Sequence, residues 1–314
     1  MKISLIFPGQ GSQLVGMGKD FYDSFDVAKD VFLQLDSFLN RPLSDTIFSG
    51  PEDELRNTIN SQPSIMATSI AIYSAIVEED LINKDLIKCV AGHSLGEYSA
   101  LVVNESISII DSIRLLDIRS RAMQESMPIG TGGMAALIGK KLFEVEKILP
   151  EIQKLGKIFI ANDNADGQVV LSGEIKPIRY ICENYKKFNI KRAIQLPVSA
   201  PFHCELIENA SIKLENEIAS QKFNNFTFPL YSNVTAEPCN NGIIKDLLVR
   251  QIINRVRWRE SVENMIKDGV DCFIEIGPGN ILTNLIKRIN KEIKAISISS
   301  VDDLAKIQSI DFNS

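Results

Sequence analysis

Residues 87–100 read Ile-Lys-Cys-Val-Ala-Gly-His-Ser-Leu-Gly-Glu-Tyr-Ser-Ala. Ile87–Ala91 has the apolar character of a short buried strand, and it stops at Gly92. From Leu95 onward the pattern reads as a helix. Between them lies Gly92-His93-Ser94-Leu95-Gly96, a G-x-S-x-G match. In a strand–turn–helix setting this pattern sets a serine on a tight turn, ready to act as a nucleophile at the end of a parallel sheet. On its own the pattern is common, and a serine in an ordinary glycine turn is the competing reading. The flanking strand and helix favour an α/β fold with Ser94 at its reactive edge. A helix opening at Leu95 would also aim its first N–H groups at a developing oxyanion.

The surrounding chain extends this pattern. Lys2–Phe7 reads as a first strand, ending in Pro8-Gly9-Gln10-Gly11-Ser12-Gln13. Helical patterns follow near 19–39, 52–59 and 64–82. Residues 108–125 form a helix with Ile109, Ile113, Leu116 and Met123 on one face. Met127-Pro128-Ile129-Gly130-Thr131-Gly132-Gly133 then marks a boundary. Beyond it the order is strand 133–138, helix 142–155, strands 157–161 and 168–171, helix 177–189 and strand 192–196. This β-α-β-β-α-β order is that of a ferredoxin-like unit. Residues 130–196 are therefore read as a small inserted subdomain. Residues 1–129 and 197–314 make one discontinuous α/β domain with a hydrolase-like core and a parallel sheet. Strands are expected near 226–232 and 272–275, with a helix after Gly277-Pro278-Gly279.

Composition excludes several function classes. The 314 residues are 45% hydrophobic and 24% charged, with net charge −6. That balance disfavours a nucleic-acid partner. The five cysteines are widely spaced and contain no C-x-x-C, so neither a disulfide framework nor a metal site is expected. No apolar run approaches the roughly 18 residues of a membrane-spanning helix. A cytoplasmic protein without membrane contact is expected, with a monomer as the default.

A serine hydroxyl needs a base, and the chain holds only two histidines. His93 adjoins Ser94, where side chains on a sharp turn diverge, so it reads as packing or turn support. His203 lies in a proline-rich loop, Pro197 to His203, and is the favoured partner. Asp163, Asp166 and Glu205 could each orient it on spacing, and so could a backbone carbonyl. Arg119 borders Leu116 and Met123 at the edge of the buried helix face. It either snorkels to the surface or offers a forked donor to a carboxylate. Gly9-Gln10-Gly11 lacks the spacing of a nucleotide-binding loop. Basic clusters occur at Lys186-Lys187, Lys191-Arg192, Arg255-Arg257-Arg259 and Lys287-Arg288-Lys291. Such runs are usually solvated faces, but against the negative background they could receive a phosphate-bearing or acidic partner.

Five stretches in order resemble one family. They are Phe7 to Gln13, Gly92 to Tyr98, Arg119 with Arg121-Ala122-Met123-Gln124, Pro201-Phe202-His203, and Glu275-Ile276-Gly277-Pro278-Gly279. Together, over residues 3–298, they resemble malonyl-CoA:acyl carrier protein transacylase of bacterial fatty acid synthesis. The resemblance implies Ser94 as nucleophile and His203 as general base and then acid. It implies the N–H groups of Gln10 and Leu95 as oxyanion hole and Arg119 as the partner of the malonyl carboxylate. In this family a main-chain oxygen orients the base, and the matching neighbourhood here is Gln251, with Asn233 nearby. Gln62, Met123 and Asn162 match pocket positions. Phe202 resembles the malonyl-preferring form of its loop. The implied substrates are malonyl-CoA and holo acyl carrier protein, whose phosphopantetheine thiol accepts the group. No metal or other cofactor is implied. A serine esterase or thioesterase, and a silent module that docks carrier protein, are the alternatives.

Overall fold

The computed structural model describes residues 1–198 and 200–310; residues 199 and 311–314, which the sequence reading gives to the large unit, lie outside them. Ten strands occur among the described residues: β1 (Ile3–Phe7), β2 (Ile87–Gly92), β3 (Gly132–Ile138), β4 (Ile158–Ala165), β5 (Gln168–Glu174), β6 (Arg192–Gln195), β7 (Leu230–Tyr231), β8 (Pro238–Cys239), β9 (Cys272–Ile276) and β10 (Lys294–Ile298). Six form one sheet in the order β10-β9-β1-β2-β7-β8. It is parallel except for β8, which runs antiparallel to β7. β1 and β9 are buried along their whole length, as expected for a sheet covered by helices on both faces.

The other four strands form an antiparallel sheet, order β4-β5-β3-β6. With helices Leu142–Gln153 and Ile175–Asn184 it makes the ferredoxin-like β-α-β-β-α-β unit that the sequence order implies. Alternation along its strands has a direct consequence. Ala135, Leu137, Val169 and Leu171 point to the unit's own core under its two helices. Met134, Ala136 and Val170 point the other way and join the core of the large unit. The small sheet therefore serves as a wall laid against the large one.

Several element boundaries differ from the sequence reading. The 19–39 pattern is two helices, Lys19–Ser24 and Asp26–Leu39, broken at the extended Phe25. The long apolar helix runs Thr58–Glu78, starting six residues before the expected point. Pro63 lies within it, and the Asn57 side chain caps it by accepting from the Ile59 N–H. β10, which the sequence reading missed, is a short strand at the sheet edge.

The central strands β9, β1 and β2 end side by side, with Phe7 paired to Gly92. The loops that follow them therefore meet at one point, where open parallel sheets place their ligands. Glycines permit this convergence. A Cβ on Gly96 would lie 2.2 Å from the Phe7 carbonyl oxygen, and one on Gly9 would lie 2.5 Å from the His93 carbonyl oxygen. The Glu275–Gly279 motif supports the same point from behind. Glu275 accepts from the N–H groups of Leu282 and Thr283 and so caps helix Ile281–Ile289. Gly277 packs under Pro8.

Candidate active site

Ser94 follows β2 and precedes helix Gly96–Val103, with φ of 54°. A non-glycine residue holds that left-handed conformation only where its surroundings enforce it. Here Asn233 does so. Its Oδ1 accepts from the Ser94 N–H at 2.7 Å, and its Nδ2 donates to the Gly92 carbonyl at 2.7 Å. One amide side chain thus clamps both sides of the turn. A Cβ at Gly92 would lie 1.9 Å from the carbonyl carbon of Gly96, so the tight return of the chain depends on the missing side chain.

The Ser94 hydroxyl lies 2.8 Å from His203 Nε2. The other ring nitrogen, Nδ1, lies 2.8 Å from the Gln251 carbonyl oxygen. A carbonyl can only accept, so Nδ1 carries the proton and Nε2 presents its lone pair to the serine. Gln251 ends helix Ile244–Gln251, where carbonyls have no intrahelical donor, so the acceptor is available for this purpose. None of the three carboxylates left open on spacing meets the imidazole. Asp163 pairs with Arg259 at 2.8 Å, Asp166 with Lys141 at 2.8 Å, and Glu205 opens an exposed turn.

His203 is buried, and burial first and the Arg119 charge second push its pKa down to about 3. The ring is therefore a neutral acceptor across the neutral range, able to take the serine proton.

Arg119, on helix Ile109–Glu125, does not snorkel: it is only 1% exposed. Its Nη1 donates to Gln62 Oε1 at 2.6 Å, and its Nη2 donates to Ser94 Oγ and Gln251 Oε1, both at 2.9 Å. Its guanidinium carbon lies 5.7 Å from the centre of the Tyr98 ring. Arg119 is among the largest fully buried side chains; no carboxylate lies within ion-pair distance of it among the described residues, and Glu97 acts on its charge from farther away. Helical periodicity placed it at an apolar edge because an internal polar pocket and a hydrophobic core look alike in a sequence pattern.

A cavity of about 180 Å³ opens onto Ser94 and His203. Gln10, Gln62 and Met123 line it from the large unit, and Asn162 reaches it from β4. Met134, Val170 and Phe202 supply apolar surface. The Gln62 amide also reaches the Met123 sulfur at 3.7 Å. The main-chain N–H groups of Gln10 and Leu95 have no hydrogen-bond partner among the described residues. Leu95 is the residue just before helix Gly96–Val103.

His93 turns away from Ser94. Its Nε2 meets Asn164 Oδ1 at 2.9 Å, and its ring packs on Trp258 with centroids 5.7 Å apart. Asn164 lies on β4, so His93 ties the serine turn to the small sheet.

Sequence reasoning did not single out Glu97, three residues after Ser94 and fully buried. It accepts from the Asn233 N–H at 2.5 Å and from the Gln251 side-chain amide. Burial raises its pKa, while those two donors oppose the shift. The available signal was a carboxylate inside Gly96–Val103, a helix otherwise made of small, apolar and aromatic residues.

The chain matches the family model described as an acyl transferase domain over residues 4–308. The malonyl CoA-acyl carrier protein transacylase of Bacillus subtilis (strain 168) is 39% identical over 305 residues, spanning 96% of this chain and 95% of that protein. The acyl-carrier-protein-S-malonyltransferase of Bartonella henselae has a similar structure, with TM-score 0.94, 43% identity and 98% of each chain covered. A malonyl-transacylase solved in complex with its type II PKS acyl-carrier protein gives TM-score 0.94 at 36% identity, covering 98% of this chain and 99% of that one. On these matches and this fold, the chain belongs to the malonyl CoA-acyl carrier protein transacylase family of acyltransferases.

Proposed function

We propose that this acyltransferase moves the malonyl group from malonyl-CoA to the phosphopantetheine thiol of holo acyl carrier protein, supplying malonyl carrier protein for fatty acid elongation. The transfer runs in two half-reactions through an ester on Ser94. His203 Nε2 takes the Ser94 proton as Oγ attacks the thioester carbonyl. The N–H groups of Gln10 and Leu95 receive the negative oxygen of the tetrahedral intermediate. As the C–S bond breaks, His203 returns the proton to sulfur and CoA leaves as a thiol. In the second half, His203 takes the proton of the carrier thiol, sulfur attacks the ester, and the proton returns to Ser94 Oγ. The scheme uses side chains and main-chain donors alone, and a cytoplasmic setting suits it.

The observation that carries this reading is the Arg119 guanidinium, buried and 2.9 Å from Ser94 Oγ, with no ion-pair partner among the described residues. A free carboxylate on the bound acyl group would complete that fork. Gln62 and Gln251 hold the guanidinium from two sides. Phe202 lies in the cavity wall, and a bulky ring there supports malonyl over its α-methyl form. For the carrier, Lys191 and Arg192 are exposed, and Arg192 opens β6, the strand that leads into the cavity-lining Leu196, Pro197 and Val198.

Brief mixing with malonyl-CoA followed by mass spectrometry of the intact protein and its peptides tests the scheme. A malonyl adduct on Ser94 is expected, discharged by holo carrier protein and absent from Ser94→Ala. An adduct that survives Ser94→Ala overturns the scheme.

A further inference from the structure

Gln251 makes contacts with both halves of the site. Its main-chain oxygen holds His203 Nδ1, and its side-chain Oε1 accepts from Arg119 Nη2 at 2.9 Å. Its Nε2 donates to the Ser94 carbonyl oxygen at 3.0 Å. The amide orientation is therefore fixed by two independent partners, since a guanidinium can only donate and a carbonyl can only accept. The same Nε2 then faces Glu97 Oε2. The other carboxyl oxygen of Glu97 faces the main-chain N–H of Asn233, which can only donate. Both Glu97 oxygens thus accept, and these two donors favour the carboxylate against the burial that raises its pKa to about 8.

The side chain of Asn233 clamps the serine turn through the Ser94 N–H and the Gly92 carbonyl. Glu97 accordingly joins the two residues that position everything else. Through Gln251 it reaches Arg119, and through Asn233 it reaches the Ser94 backbone. It touches neither Ser94 Oγ nor His203 Nε2 among its contacts.

We infer that Glu97 is a positioning residue for acyl selection: as a third partner of the Gln251 amide it reinforces the orientation that turns an oxygen toward Arg119, and so keeps that guanidinium aimed at the acyl group. The inference rests on the proposed malonyl transfer. In Glu97→Gln, the Asn233 N–H still requires an oxygen, which leaves an NH2 group against the NH2 group of Gln251. Rotation of the Gln251 amide relieves that clash but puts an NH2 group against Arg119. Either arrangement leaves buried donors unpaired. The main-chain bond from Gln251 to His203 does not depend on the amide orientation, so the loss falls on Arg119 and not on the base.

The test compares rates of Ser94 acylation by malonyl-CoA and by acetyl-CoA, measured by rapid quench and mass spectrometry. Thermal melting checks that each variant is folded. The malonyl-to-acetyl rate ratio is expected to fall roughly tenfold or more in Glu97→Gln. Glu97→Asp keeps the carboxyl group but is one methylene shorter, and a smaller fall in the ratio is expected. An unchanged ratio in a folded Glu97→Gln overturns the inference, and so does an equal loss for both acyl groups, which marks a purely structural role. If Glu97→Gln does not fold, an unchanged ratio in Glu97→Asp overturns it. Failure of wild-type protein to form any malonyl-Ser94 would instead remove the transfer scheme itself, and the inference with it.

Discussion

Arg119 Nη2 lies 2.9 Å from Ser94 Oγ, so the site's buried cation rests on the hydroxyl that is also bonded to His203. Among the described residues its hydrogen bonds go to neutral oxygens, the hydroxyl and the amides of Gln62 and Gln251, while the buried Glu97 acts on its charge from farther away. A dicarboxylic acyl group would supply the charge these lack. Arg119→Ala is expected to slow malonyl transfer by roughly ten- to a hundredfold or more while acetyl transfer suffers less, because a charged hydrogen bond is worth about 1.5–3 kcal/mol. Steady-state rates with the two thioesters check this; equal losses would count against the assignment.

The second prediction concerns pH. His203 ionises normally near 6.5, and its buried site lowers that to about 3. Ser94 acylation should therefore show no acid limb near 6.5 as pH falls. The Arg119 charge is the second cause of the shift, so Arg119→Met should move the limb upward. Stability follows the same sign. The unfolded chain binds a proton at this histidine below 6.5 and the native chain does not. Stability is thus lost as pH falls from 6.5 toward about 3, at up to about 1.4 kcal/mol per pH unit. Urea titrations of wild type and His203→Gln over that window should show a shallower pH slope in the variant.

The sheet with its serine turn was legible because strand, glycine turn and helix are local patterns. The inserted unit was legible because its strand and helix order is unbroken by long loops. Partners distant in sequence were not legible. His203 is held by an oxygen 48 residues away, a main-chain atom that every residue possesses. Asp163, which spacing left open as its partner, is instead occupied by Arg259. The Arg255-Arg257-Arg259 cluster reads as a basic patch in sequence, yet Glu146, Glu260, Asp163 and Glu263 pair with it in space. Charge runs in a sequence do not reveal their counter-charges.

That pairing gives a third prediction. Charge reversal at Lys191 and Arg192 should raise KM for holo carrier protein severalfold while leaving malonylation of Ser94 from malonyl-CoA unchanged. Removing Arg255 should affect the two half-reactions alike. Separate assays of the two half-reactions decide the matter, and a carrier KM untouched by reversal at 191 and 192 would place docking elsewhere.

The Gln10 N–H belongs to the main chain and cannot be deleted by substitution, but its position can be disturbed. A Cβ on Gly9 would stand 2.5 Å from the His93 carbonyl oxygen and 3.0 Å from its ring nitrogen. Gly9→Ala should push the loop from the serine turn and lower the acylation rate by about a hundredfold, the usual loss for one oxyanion donor. Gly11→Ala meets no neighbour within 4 Å and serves as the comparison, its cost confined to its φ of 103°. Equal rates in the two variants would argue against Gln10 as a donor.

The carbonyl behind His203 has a consequence for the two half-reactions. A carboxylate there would stabilise an imidazolium and strengthen the base, whereas a neutral oxygen and a nearby guanidinium leave it weak. Ser94 is an alcohol, about as weak an acid as water with its pKa near 15.7, so a weak base is helped there by the Arg119 Nη2 bonded to Oγ, whereas a carrier thiol near 8.5 gives up its proton far more readily. On the transfer scheme proposed above, the second half-reaction would thus ask much less of His203 than the first.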